Sequence, residues 1–382
     1  MARRLRLPSL SALTRAYQRN LKTLTRAMRS AQRAAAKVAK VAKTAKTTKK
    51  PVKTTKTTKT TKTAKTAKAA PRATAASQGD WIAGVATGPA GARRFHLHIP
   101  PGLALRPREK LPLLVMLHGC DQTGLEFAQS TRMGKLAARQ RFLVLYPEQD
   151  RFANAQGCWN WFQQRNGMAN AEAATLLAAV VQVAQSYPID VARVAVAGLS
   201  AGGSMAALMG ARFAAHFAAV IVHSGVTPGT ADSALSALAA MGGHRAGHLP
   251  TPHASAISAS TTNNAAPLPP LLVLQGSSDH VVSPRNGLAT AQLWAQALGA
   301  KASATTSQQR GKRYPMQVTP FKRQGRTVVE LRDIAGLGHA WSGGGAKLAY
   351  SDPAGPDASA LTWAFAARAF KQQSSAKPPQ QK

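Results

Sequence analysis

From residue 79 onward, short and nearly continuous apolar runs alternate with longer segments in which apolar side chains recur every three to four positions. The runs LPLLVML, RVAVAGL and PLLVLQG suit strands buried on both faces of a mostly parallel sheet. Strands are predicted over 81–87, 94–99, 111–118, 142–146, 194–199, 218–223, 271–275 and 328–334. Helical periodicity predicts helices over 132–141, 172–187, 201–212, 285–298 and 356–370. Strand and helix alternate throughout, which predicts one doubly wound α/β domain over 79–371 with helices on both sheet faces. Residues 227–268 interrupt that order with a stretch rich in Thr, Ser, Ala, Pro and Gly, expected to be a flexible surface insertion or a lid. It holds His244, His248 and His253, but with Asp232 as the nearest carboxylate they make a poor donor set, so no metal site is expected. Residues 372–382 are expected to be disordered.

Ahead of the domain the pattern changes. Leu5, Leu7, Leu10, Leu13, Tyr17, Leu21, Leu24 and Met28 recur at roughly helical spacing among arginines and lysines, so residues 1–36 contain a candidate basic amphipathic helix. Arg or Lys breaks every candidate apolar core there, and no secretory signal is readable. Between Lys37 and Lys68 lysine recurs mostly at every third position among Thr, Ala and Val. Self-repulsion and the scarcity of large apolar side chains predict disorder over 37–78.

Charge sharpens this division. The 382 residues carry a formal net charge of +36, from 50 basic and 14 acidic side chains. Residues 1–79 hold 22 of the basic ones and no acid; the remainder holds 28 basic and all 14 acidic. Residues 1–78 therefore suit contact with a polyanion such as nucleic acid or an anionic membrane, the alternative being a solvated extension without a specific partner. Nothing defines a protein partner. No run of eighteen apolar residues exists, which excludes an ordinary transmembrane helix. Two cysteines can neither staple a small scaffold nor supply a multi-cysteine metal site.

The chemistry starts at Gly198-Leu199-Ser200-Ala201-Gly202, between a predicted strand and a predicted helix. A nucleophile on such a sharp turn needs small neighbours, and the turn lifts its hydroxyl clear of the sheet at the positive end of the helix. A serine also needs a base, and the base needs an acid that fixes its tautomer. Six carboxylates follow Ser200: Asp232, Asp279, Glu330, Asp333, Asp352 and Asp357. Only Asp279 lies just beyond a strongly apolar strand, in LLVLQGSSDHVV, and it is the chosen acid. Among the later histidines, His280 adjoins the acid, whereas His339 lies in the Gly-rich loop GLGHAW after the last strand and is the natural base. The N–H of Ala201, and that of Cys120 in the loop Leu117-His118-Gly119-Cys120, are the expected oxyanion donors. His118 is expected to brace that loop. Neither metal nor organic cofactor is required.

With these residues in place, the chain resembles the polyhydroxybutyrate depolymerase family of α/β-hydrolase esterases, which includes feruloyl and acetylxylan esterase relatives. The resemblance rests on HGCDQTGLEFA, LVLYPEQ, CWNWF, VAGLSAGGSMAA, VIVHSG, QGSSDHVVSPRN and GLGHAWSGG, in that order. It implies the α/β-hydrolase fold, the triad Ser200, Asp279 and His339, and hydrolysis of poly- or oligo-hydroxyalkanoate esters or of feruloylated or acetylated saccharides. It also implies a Cys120–Cys158 disulfide and action outside the cell or in its envelope, whereas the unread signal argues for the cytoplasm. Trp159, Trp161 and Trp341 are candidates to line an acyl or aryl pocket, with plain core the alternative. The chain departs from the family pattern in its Lys-rich tail, its expanded 227–268 stretch, and the lack of a readable substrate-binding module after Phe370, which argues against attack on crystalline polymer. The competing reading is a polyanion-binding protein on an inactive hydrolase scaffold.

Overall fold

A computed structural model describes residues 79–252 and 266–376. The amphipathic candidate at 1–36, the Lys-rich stretch 37–78 and His253 lie outside the described residues. Strands β1 (Asp80–Gly88) and β2 (Gly91–Ile99) form an antiparallel hairpin. Next come β3 (Leu111–Leu117), β4 (Leu143–Pro147), β5 (Ile189–Leu199), β6 (Ala219–His223) and β7 (Leu271–Gly276). Two short strands, β8 (Lys301–Ala302) and β9 (Thr306–Gln308), precede β10 (Met316–Arg323) and β11 (Arg326–Ile334). The sheet order is β1-β2-β4-β3-β5-β6-β7-β11-β10-β8, with β9 also on β10. From β4 to β11 every pairing is parallel, and antiparallel strands flank both sides.

The apolar runs are central because every residue of β3, β4, β6 and β7 is buried. Period-two alternation sends Leu113, Val115 and Leu117 to one face and Leu114 and Met116 to the other. The first face is covered by α3 (Met168–Ser186), α4 (Ala201–Arg212) and α6 (Arg285–Ala297) through Leu176, Val180, Met205 and Trp294. The second is covered by α1 (Gly124–Thr131), α2 (Met133–Gln140) and α7 (Ala358–Ala376) through Phe127, Leu136, Phe365 and Phe370. The expected doubly wound sheet is present.

The structure adds to the expectations in several places. The 227–268 stretch is structured over part of its length, since Ser233 caps α5 (Ala234–Met241) by a capping box with Ser236. Strand β10 was not predicted, because Pro320 and basic residues blur its alternation. Helix α7 runs to Ala376, past the expected boundary at 371, because Lys371, Gln372 and Gln373 are good helix formers. A further parallel pair, β12 (Trp341–Ser342) with β13 (Ser351–Asp352), follows the main sheet.

Candidate active site

Ser200 stands alone between β5 and α4, at φ 58° and ψ −121°. A non-glycine residue at positive φ is strained, and the surroundings must hold it there. Its amide donates to the His223 carbonyl at 2.9 Å, and its own carbonyl accepts from Ser204 N–H at 3.0 Å. The flanking glycines are obligatory. A Cβ on Gly198 would collide with the Gly202 carbonyl, and one on Gly202 with the carbonyl of Leu117.

Asp279 and His339 follow β7 and β11, which lie on the same parallel edge of the sheet as the end of β5. Their loops are laced together. Ser277 N–H donates to Ile334 O at 3.0 Å, Ser278 N–H to Leu337 O at 3.0 Å, and Gly336 N–H to Ser277 Oγ at 2.9 Å. His339 Nδ1–H donates to Asp279 Oδ2 at 2.8 Å, which leaves Nε2 as the ring nitrogen not engaged by the carboxylate. Asp279 Oδ1 accepts from the Val281 and Val282 amides, both at 2.9 Å. Burial pushes this carboxyl upward, but the hydrogen bond and charge of His339 and the Val282 and Val281 amides outweigh it, holding Asp279 below the usual carboxylate range.

The other carboxylates after Ser200 are engaged elsewhere or isolated. Asp232 pairs with Arg165 at 2.6 Å, Glu330 with Arg332 and Arg368, and Asp352 and Asp357 cap backbone amides. Asp333 lies on β11 opposite Gln317, and burial raises its carboxyl. His280 is exposed.

The loop after β3 comes against the serine: a Cβ on Gly119 would stand 3.6 Å from Ser200 Cβ. Gly119 N–H is already taken by Gln122 Oε1 at 3.0 Å, whereas Cys120 is the next amide along. Cys120 and Cys158 form a disulfide, as the resemblance implied. His118 braces the loop: its Nδ1–H donates to Gly119 O at 2.8 Å, and Nε2 accepts Gln149 N–H at 3.1 Å. Complete burial lowers its pKa to about 4, so it is neutral at neutral pH.

Two contributors were not singled out by sequence. Glu172 on α3 is fully buried and holds the CWNWF segment, accepting from Arg93 Nη2 at 2.8 Å, Gln149 Nε2 at 2.7 Å and Asn160 N–H at 2.6 Å. A carboxylate inside an otherwise Ala-rich apolar helix was the available signal. His223, ending β6, secures the Ser200 amide through its carbonyl and the short strand β12 after His339 through its ring, whose Nε2 accepts Ser342 N–H at 3.2 Å. Two of the three tryptophan candidates belong to the core. Trp159 and Trp341 are fully buried and spend their indole N–H groups on His118 O and Ser359 Oγ, so neither lines an open pocket. Trp161 does line a cavity.

Residues 93–314 match the family described as esterase PHB depolymerase. The chain is 28% identical over 259 residues to poly(3-hydroxyalkanoate) depolymerase C of Paucimonas lemoignei, covering 68% of this chain and 60% of that protein. It is 26% identical over 218 residues to feruloyl esterase B of Neurospora crassa, covering 56% and 73% of the two chains. The probable acetylxylan esterase A of Aspergillus clavatus is 28% identical over 227 residues, covering 57% and 70%. Among solved structures, an acetyl xylan esterase from Aspergillus awamori superposes with a TM-score of 0.53 at 23% identity, over 68% of this chain and 94% of that one, a likeness of fold.

Proposed function

The chain belongs to the esterase PHB depolymerase family, and from that premise we propose that it is a serine esterase acting through Ser200, His339 and Asp279. The reading is carried by one observation: a hydrogen-bonded Asp279–His339 pair on the same sheet edge as a serine held at φ 58° between obligatory glycines. His339 Nε2 takes the Ser200 proton as Oγ attacks the ester carbonyl, and Asp279 holds the tautomer and stabilises the imidazolium. The Ala201 and Cys120 amides receive the oxyanion. The tetrahedral intermediate collapses as His339 returns the proton to the leaving alcohol, giving an acyl-enzyme. Water, deprotonated by His339, then releases the carboxylic acid and regenerates Ser200.

Hydroxyalkanoate oligomers are the first substrate class. Feruloylated or acetylated saccharides are the second, because relatives named for those activities match at similar identity over more of their own length. The disulfide favours an oxidising compartment outside the cell or in its envelope. The 22 basic residues of 1–79 support an added contact with a polyanion.

A fluorophosphonate probe is expected to label the protein at Ser200. If the parent fails to label, or Ser200→Ala labels equally, the mechanism is wrong. Turnover of p-nitrophenyl esters beside hydroxybutyrate oligomers, methyl ferulate and acetylated xylo-oligosaccharides separates the substrate classes.

A further inference from the structure

A cavity of about 500 Å³ lies beside α4, the helix that follows Ser200, and is lined from Ser204 onward and not by Ser200 itself. Its floor is Ser204, Leu208 and Arg212, which follow Ser200 at four-residue steps and so lie in one row of the helix. Trp161 and Asn170 supply a wall, and the segments 228–232 and 245–251 supply the roof. The roof segments are joined by His248 N–H donating to Pro228 O at 3.0 Å, and Gly229, at φ 75°, lets the two backbones touch. The Arg165–Asp232 ion pair latches the roof to the segment carrying Trp161.

The charges in this recess do not balance. Asp232 is matched by Arg165 and also accepts from Ser236 Oγ at 2.8 Å. Arg212 and Arg245 also line the cavity, and neither makes an ion pair among the described residues; Arg212 donates only to the Thr251 carbonyl, at 3.0 Å. Asn170 Oδ1, on the wall, is a buried acceptor with no hydrogen-bond partner. A guanidinium in a recess matches a carboxylate by paired N–H donors, and an orphaned acceptor matches a hydroxyl.

We propose that this cavity is a subsite for a carboxylate carried by the substrate beyond the scissile ester, held by Arg212 and Arg245. The proposal rests on Ser200 being the esterase nucleophile and deepens that reading by naming the substrate class as anionic esters. Twelve residues of helix place the Arg212 backbone about 18 Å along the axis from Ser200, and its side chain leans back toward the N-terminus. A short oligomer spans that distance and an isolated acetyl group does not. The carboxylate belongs to the acid end of a hydroxyalkanoate oligomer or to a uronate of an acidic saccharide.

The test compares a 3-hydroxybutyrate trimer as the free acid with its methyl ester, and an acetylated acidic xylo-oligosaccharide with its neutral counterpart. The full-length parent is expected to favour one anionic member at least tenfold in kcat/KM, mainly through KM, and the pair showing the preference identifies the source. Arg212→Gln and Arg245→Gln should each shrink that ratio; taken within each variant, the ratio cancels any general loss of activity. Equal rates within both pairs, or a ratio indifferent to both substitutions, overturn the subsite. Calorimetric titration of the trimer acid into Ser200→Ala, with and without Arg245→Gln, is independent of turnover. Arg245-dependent binding without fluorophosphonate labelling of the parent sinks the nucleophile but keeps the subsite; labelling without such binding does the reverse.

Discussion

At the scale of single residues, His223 is a buried imidazole pinned in its neutral form. Nε2 accepts Ser342 N–H and Nδ1 lies 3.2 Å from Ser224 Oγ, so its two nitrogens are used as one acceptor and one donor. Burial, then the charge of His339, lower its pKa to about 3 against a weaker opposing pull from Asp279. The unfolded chain binds a proton at this histidine below its ordinary value near 6.5 and the native state does not, so stability is lost as pH falls from there toward 3. That loss is about 1.4 kcal/mol per pH unit for one proton. His223→Gln, which keeps an acceptor and a donor, is expected to give a shallower fall in urea midpoint between pH 6.5 and 4.5 than the parent; parallel curves would refute the neutral pinning. The Asp279 side chain makes a second residue-scale prediction. Asp279→Asn removes the acceptor that fixes the His339 tautomer, and kcat for a small ester should drop by roughly 10⁴-fold with the thermal midpoint little changed. A drop below tenfold would assign the acid's role elsewhere.

At the scale of elements, the site depends on loops that are tied down at the ends of strands. The Cys120–Cys158 bridge closes a 38-residue separation and joins the loop after β3, proposed to supply an oxyanion donor, to CWNWF, which Glu172 anchors from α3. Closing a loop of that length stabilises by about 4 kcal/mol on the chain-entropy view. The paired Cys120→Ser, Cys158→Ser variant should lose about that much unfolding free energy and lose kcat with KM nearly unchanged, since the Cys120 amide would be less firmly aimed. Unchanged kcat would remove Cys120 from the oxyanion hole. Glu172→Ala leaves the guanidinium of buried Arg93 without its partner and is expected to cost about 3–5 kcal/mol in denaturant unfolding. Elements of this kind divide into legible and illegible for physical reasons. The candidates Ser200 and Asp279 could be read because each follows an apolar run, and Ser200 also because a sharp turn restricts its neighbours to small residues. His339 could be read from its place in a Gly-rich loop after the last main strand, β11, which is itself largely polar. Glu172 and His223 could not, since their importance lies in partners 79 and 119 positions away. Trp159 and Trp341 look alike in sequence whether they line a pocket or fill a core, and only the destination of the indole N–H separates the two.

At the scale of the whole molecule, charge and chemistry are carried by different stretches of chain. The residues beyond 79 hold 28 basic and 14 acidic side chains, whereas the first 79 concentrate 22 basic side chains with no acid in the same stretch. A cation-rich stretch of that kind binds a polyanion by releasing condensed counterions, so its affinity falls steeply with salt, with a log–log slope of about −0.9 per phosphate neutralised on duplex DNA. An esterase needs none of this for turnover. Full-length protein is therefore expected to bind duplex DNA or phosphatidylserine vesicles with a steep salt slope, and removal of residues 1–78 should flatten the slope while p-nitrophenyl butyrate turnover per labelled Ser200 stays within twofold. An equal slope after truncation would shift the contact to the structured domain. Loss of turnover on truncation would instead tie the basic stretch to catalysis, and salt would then act on kcat/KM and binding together. Salt dependence measured on both properties in the same preparation thus decides whether the charge anchors the enzyme or takes part in its chemistry.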